Sequence, residues 1–454
     1  MTWLVFSLIT FLSILILSKA APCRNSGYSN KFVVIVFILK FLSGSALTLI
    51  YTYYYNERGA ADIYKFFDDA QVIASALPEH PEHYLRLISG WDSENPELDS
   101  YRKAMRNWEP QSAEWLDFTK TTSYNFFTSN RIITRINALL IPVSGGNIFT
   151  HVLLFSLLIT LASFAFINTL KFESAFYRHA AVAAILFWPS VMIWCSAPLK
   201  DALTLSAIFF SWSSLHRIVN NPSNFQQWII LGFWLMVLLF TKYYVLPAFL
   251  AAALLLTVQN YSNPLFSLRN SGLVIVAGVL AILVVEFSFP EKKLSVLLNN
   301  KREEALKAAI FGEARQMAFV GIVDGSTFGM IKETPKAILR AVFLPLYPQA
   351  QMPLIMLPAL FENFLLLMLV FYTIALAFKR KYLSEQFVPY LIFVLILAFI
   401  IGYTTPVTGG IARYKTAFLP IFLSLCFLIV DSAKQNNKIG HQTKERKLKK
   451  SFAC

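Results

Sequence analysis

Eleven apolar stretches, interrupted by two long polar ones at residues 55–147 and 290–352, constrain this chain more than any motif in it. A bilayer core takes about 20 apolar residues per helix, and somewhat fewer where neighbouring helices bury the ends. On that basis spans are expected near 2–18, 33–53, 148–170, 179–196, 201–217, 226–241, 243–257, 270–288, 353–377, 386–403 and 413–430. A hydrophobic share of 56%, a charged share of 15% and 41 phenylalanines fit a polytopic membrane protein and exclude an ordinary soluble domain. The expected fold is therefore all-α, a transmembrane helix bundle of about 11 spans with two extracytoplasmic regions. Its organisation reads as N-terminal transmembrane helices (1–54), a first extracytoplasmic region with interfacial helices (55–147) and transmembrane helices (148–289). A second extracytoplasmic region (290–352), C-terminal transmembrane helices (353–431) and a basic cytoplasmic tail (432–454) follow.

Charge placement sets the orientation. Lys19, Arg24, Lys31, Lys171, Arg178, Arg217, Arg269, Lys379, Arg380, Lys381 and the tail lysines fall on one side, which the positive-inside bias makes cytoplasmic. Both polar stretches then face outward, with the N-terminus outside and the C-terminus in the cytoplasm, as in a bacterial inner membrane. Those stretches hold 19 of the 26 acidic residues, thirteen in the first and six in the second. An enzyme working at a membrane surface concentrates its acids in this way; a channel rarely does. The net charge of +14 follows from the inside bias and the tail, so the partner it implies is a lipid bilayer and not nucleic acid. Cys23, Cys195, Cys426 and Cys454 have no paired or metal-ligand spacing. The first span lacks a basic lead, and Lys19-Ala20-Ala21-Pro22 is a poor cleavage site, so a retained helix is expected.

Within the first outer stretch, Asp62 to Ile73 reads as a helix with Phe66, Ala70 and Ile73 on its apolar face. Residues 78–99, with Pro78, Pro81 and Pro96 among many acids, read as a solvated loop. Residues 110–127 carry Trp115, Phe118, Phe126 and Phe127, enough apolar surface to lie on a membrane. Arg131 to Leu140 is amphipathic, with both arginines on one face, as in an interfacial helix. In the second stretch a helix is expected over 300–320, a turn at Asp324-Gly325-Ser326, and a helix opening at Thr334-Pro335. The six histidines read as scattered, and no nucleotide-binding, HExxH or Cys/His motif occurs.

The residues that can carry chemistry are few. Asp62, Asp68 and Asp69 lie just above the outer membrane surface, where a carboxylate serves as general base for an incoming hydroxyl. The same acids suit a divalent cation, the one cofactor the chain suggests. Against this stands their reading as solvated charges on an outer helix. Lys200 and Asp201 open a span after a Pro189–Pro198 bracket; Lys200 suits a phosphate as a point charge, or the two pair locally. Arg413 and Tyr414, after Gly409-Gly410, are placed to grip a lipid-linked phosphate or simply to snorkel. Arg131 and Arg135 suit phosphate or anionic lipid equally, and Lys242 is a weaker case of the same kind. Glu362 lies inside a span, where a buried acid is often functional or else satisfied by Asn363, and Lys40 is expected to snorkel.

This layout resembles the GT-C-type glycosyltransferases, integral-membrane enzymes that use polyprenyl-phosphate sugars as donors. The resemblance rests on the helix at 33–53, Gly59-Ala60-Ala61-Asp62-Ile63-Tyr64, the interfacial helices to residue 147, and Arg413-Tyr414 with Pro420 at the start of the last span. Trp188-Pro189-Ser190 through Leu199-Lys200-Asp201 is more similar to polytopic membrane proteins of Bacteroidetes-type bacteria. The resemblance implies Asp62 as base, with Asp68 or Asp69 orienting the acceptor or a metal. Lys200 and Arg413, with Arg131 or Arg135, would hold the donor phosphate. The reaction implied moves a sugar onto a surface glycan, lipid or protein acceptor. A surface-polysaccharide polymerase or ligase, driven by outer arginines, is the alternative; a lipid or glycan transporter is the third.

Overall fold

The structure is a computed structural model that describes residues 2–53, 58–91, 95–106, 108, 129–261, 267–288, 293–312, 314, 316–319, 325–346, 356–377 and 387–434. Among these the chain is helical, without a strand, and helices fall on all eleven apolar stretches. Among the described residues, five helices are long and apolar enough to cross a bilayer: Asn30–Tyr53, Ile148–Ile167, Phe225–Lys242, Leu357–Leu376 and Phe387–Thr404. A sixth is added if Thr408–Ala417 and Leu419–Lys434, bent by 64°, count as one span. Such helices fit an integral membrane protein. The aromatic residues of 110–127, Asp324, Lys379 to Lys381 and residues 435–454 of the tail lie outside the described residues.

Outward faces support the same conclusion. Phe361, Phe364, Leu365, Met368, Phe371 and Tyr372 are exposed along one helix at three- and four-residue spacing, as are Phe225, Ile229, Phe233 and Met236 along another. Stripes of this kind are stable against lipid and costly against water. The Lys200–Asn220 helix is long but less apolar, because Ser206, Ser211, Ser213 and Ser214 turn inward and are buried.

The chain divides into two compact units, residues 1–169 with 190–246, and residues 170–189 with 247–454. In the first, the Asn168 side chain donates to the Pro22 carbonyl at 2.8 Å, so the loop after the first helix and the end of Ile148–Ile167 share one side. The opposite end is capped by the helices Asp62–Ser75 and Ser129–Ser144, packed over residues 197–203. In the second, the Asp431 carboxylate accepts the backbone N–H groups of Glu173 and Ser174. There Glu286 caps Leu294–Phe311, accepting its Leu294 N–H at 2.8 Å, and also accepts the Thr327 hydroxyl at 2.8 Å.

Four local expectations change. Residues 78–99 are not merely a loop: Pro81 opens a helix to Ser89, at the first position where its missing N–H costs nothing. The helix expected over 300–320 runs Leu294–Phe311. Thr334-Pro335 does not start a helix. Ser326 caps Thr327–Phe343 by accepting from Gly329 N–H at 3.0 Å, and Pro335 sits inside it. Lys40 does not snorkel; it is fully buried, its ammonium 3.9 Å from the Met192 sulfur.

Each unit contains one helix approach that only glycine allows. A Cβ on Gly44 would lie 2.3 Å from the Ser196 carbonyl oxygen, and one on Gly402 would lie 1.8 Å from that of Ala337. Gly402→Ala should therefore destabilise the detergent-solubilised protein by about 1–3 kcal/mol or more. Gly232→Ala, with nothing within 4 Å of its new methyl, should be neutral or slightly stabilising. Thermal unfolding of the two variants side by side checks this.

Candidate functional site

The Asp62–Ser75 helix opens with an acid in its first turn, which complements the helix dipole, and buries Ile63, Phe66, Phe67, Ala70 and Ile73. It is tied to the C-terminal end of Asn30–Tyr53 by the Tyr64 hydroxyl, 2.6 Å from that of Thr52. On its other flank lies a cavity of about 340 Å³, lined by Arg58, Gly59, Tyr64, Lys65, Asp68, Asp69, Val72, Ala104 and Arg106. That volume lies at the lower end of the range for small-molecule sites.

Three cations and two carboxylates share this cavity. Asp69 is buried and accepts the Arg106 backbone N–H at 3.0 Å, which fixes its carboxylate. Asp68 pairs with Arg58 at 2.6 Å, but the two side chains are 37% and 50% exposed. A pair so open is held weakly, and an incoming anion can replace the carboxylate. The Arg58 guanidinium also lies 4.2 Å from the centre of the Tyr64 ring. Asp62 is outside the lining, 3.8 Å from the Lys65 ammonium. Of the three expected acids, two enter the cavity and one flanks it.

Arg58, Lys65 and Arg106 were missed in the sequence. Arg58 and Lys65 bracket the Gly59–Asp62 segment closely enough to have been weighed with it. Arg106 comes from the far side of the proline-rich insert, and no local pattern marks it.

Arg131 and Arg135 share a helix face, as expected, but that face turns inward and both side chains are buried. Their Nε–H groups donate to the carbonyls of Trp108 and Leu87, each at 3.0 Å, and their guanidiniums lie 4.6 and 5.4 Å from the Trp108 ring centre. Burial, with Arg131 beside it, brings Arg135 down to about 10. These two arginines tie the cap together. Beneath them, His151 bridges Asn137 at 2.7 Å and Ser144 at 2.9 Å, a buried polar relay joining Ser129–Ser144 to Ile148–Ile167.

Lys200 and Asp201 begin their helix at a recessed break. The Ser196 carbonyl accepts the Ser156 hydroxyl at 3.1 Å, and Ser156 lies eight residues along Ile148–Ile167. At 1.5 Å per residue the break sits about 12 Å down that helix from its start. Irregular backbone at such depth is tolerated only where protein buries it, and Ser196, Ala197 and Leu199 are all buried. Asp201 pairs with Lys242 at 2.6 Å, with both side chains nearly or fully buried. Lys200 donates to Asn130 at 2.7 Å and lies 5.4 Å from the Phe66 ring centre, one turn along from Asp62.

Arg413 and Tyr414 belong to the second unit, in the helix Thr408–Tyr414. The next residue, Lys415, is fully buried against Glu362 at 3.4 Å and also donates to Asn363. Glu362 thus finds a cation, and Asn363 shares that ammonium. Residues 316–318 pair with 406–408, and the guanidiniums of Arg302 and Arg340 lie 3.7 and 4.8 Å from the Phe319 ring centre. Arg340 pairs with Glu333. Arg302 donates to the Tyr403 carbonyl at 3.2 Å, and burial together with Arg340 lowers its pKa from the ordinary arginine value.

Comparison of the chain with protein-family models, with curated proteins and with solved structures gives no match.

Removing one partner of a buried ion pair strands the other charge, at about 3–5 kcal/mol. Asp201→Asn and Lys242→Met should each cause a loss of that order in thermal or denaturant unfolding. The double variant should recover much of it, because no lone charge remains.

Proposed function

We propose that this chain is a GT-C-like membrane transferase of about eleven spans. It would move a sugar from a polyprenyl-phosphate-linked donor to a glycan, lipid or protein acceptor at the outer face of a bacterial inner membrane. The observation that carries the reading is the mixed-charge cavity beside the C-terminal end of Asn30–Tyr53, a helix long and apolar enough to cross a bilayer. A lipid-borne phosphate reaches that depth without leaving the bilayer, and a soluble acceptor reaches it from outside.

In this reading Arg58, Lys65 and Arg106 bind the anionic donor, and Arg58 exchanges Asp68 for phosphate. Asp69, held by the Arg106 N–H, is the base toward the acceptor hydroxyl, and Asp68, once released, orients that acceptor. Asp62 steadies Lys65 from outside the lining, and Lys200 supports the helix that carries all three acids. Charge stabilisation and positioning lower the barrier. No role at this cavity is assigned to Arg131, Arg135, Asp201, Arg413 or Tyr414. The grouping of Pro22 with Asn168, and of Glu173 with Asp431, agrees with a cytoplasmic side at those loops.

A second reading, the polysaccharide polymerase or ligase, is favoured by the two arginines beside Phe319, where one carboxylate faces two guanidiniums. Two variants separate the readings when assayed with membranes carrying a radiolabelled polyprenyl-phosphate sugar. Asp69→Asn keeps the hydrogen bond from Arg106 and should lower transfer by about 10²–10⁴-fold with unchanged unfolding temperature. Full activity there, with loss in Arg340→Gln, rejects Asp69 as base and favours the second reading.

A further inference from the structure

We propose that His80, Glu82, His83 and Glu97 bind a divalent transition-metal ion of the zinc class. The site closes the proline-rich insert and is independent of the transferase reading; none of the four residues lines the cavity. One donor atom from each of His80, Glu82 and His83 lies within 4.8 Å of the other two. His80 Nδ1 is 3.3 Å from Glu82 Oε1, and His83 Nε2 is 3.9 Å from the same oxygen and 3.8 Å from Glu97 Oε2. Four ligands at zinc's usual bond length stand about 3.4 Å apart at tetrahedral corners. His80 and Glu82 already have that spacing, whereas Glu97 lies outside the group of three and would turn in from its 3.8 Å approach to His83.

The donor set selects the metal. Two imidazoles with two carboxylates suit zinc and its neighbours, whereas calcium and magnesium call for oxygen alone. The scaffold supports it too. His83 turns Nε2 toward the carboxylates of both Glu82 and Glu97. The His80 and His83 rings stack at 4.7 Å, and Tyr101 packs edge-on to His83 at 5.9 Å. His80 precedes the helix Pro81–Ser89, and Glu97 lies in the turn Pro96–Leu98, so one ion would join the two ends of the insert. Arg86, 3.2 Å from Glu97, already spans the same gap and marks Glu97 as the arm to be held.

Full-length protein carrying no histidine tag, in detergent and stripped with chelator, tests this by zinc titration calorimetry and by cobalt absorption. The expected result is one zinc per chain, a tetrahedral visible spectrum with cobalt, and a rise in unfolding temperature with zinc but not with magnesium. His80→Gln/His83→Gln should weaken binding by about 100-fold or more. His80→Gln alone and Glu97→Gln, both at exposed side chains, should weaken it without changing metal-free unfolding. Binding with equal affinity in the double variant, or none in the wild type at about tenfold molar excess of zinc in the micromolar range, overturns the proposal.

Discussion

The recessed break at residues 195–199 is the constraint on which the first unit depends. A helix that stops within an apolar slab exposes carbonyl and N–H groups that lipid cannot satisfy, and each costs several kcal/mol. The chain meets this cost with three neighbours. Gly44 lets Asn30–Tyr53 come against the Ser196 carbonyl, Ser156 donates to that carbonyl, and the cap helices cover Ala197 and Leu199. Because the break lies low, the helix that follows starts low, and Lys200 comes under the Phe66 face of the Asp62–Ser75 helix. The positions of the acids above therefore follow from a backbone problem below them.

Two kinds of charge result. Asp201 with Lys242, Glu362 with Lys415, and Asp431 and Glu286 with backbone N–H groups are buried acids whose partners are fixed by packing. Exchanging any of these for a ligand would leave a bare charge in a low dielectric, so they serve the fold. Asp68 and Arg58 differ, since water reaches both and either can change partner at little cost. Chemistry belongs where the pairs are exchangeable.

Much of the helix placement was legible, because hydropathy and length report directly on burial in lipid. The Asp62–Ser75 helix was legible for the same reason: Phe66, Ala70 and Ile73 repeat at its period and are buried. Reading went astray where one residue type has two uses. Pro81 suggests a loop but also suits the first turn of a helix, and Thr334-Pro335 suggests a helix start yet lies within one that Ser326 had already capped. Partners distant in sequence were not legible. Nothing near Asp201 names Lys242, 41 residues on, and nothing near Glu362 names Lys415. Arg131 and Arg135 show the limit of periodicity, which found their shared face but not that Trp108 would cover it.

The insert and the cavity are mechanically one object. Tyr84 and Leu87 of the Pro81–Ser89 helix pack with Leu98, Met105, Trp108 and Ala138 in one buried cluster. The same segment then delivers Ala104 and Arg106 to the cavity wall, and Arg106 N–H anchors Asp69. A residue at the end of a short segment is normally imprecise, yet the carboxylate proposed as base would need a position fixed to a fraction of an ångström. Stiffening the insert at its far end, between His83 and Glu97, restrains the register of the Asp99–Ala104 helix that leads into Arg106. A cation bound outside the cavity would in this way tighten the carboxylate within it, with no contact between the two.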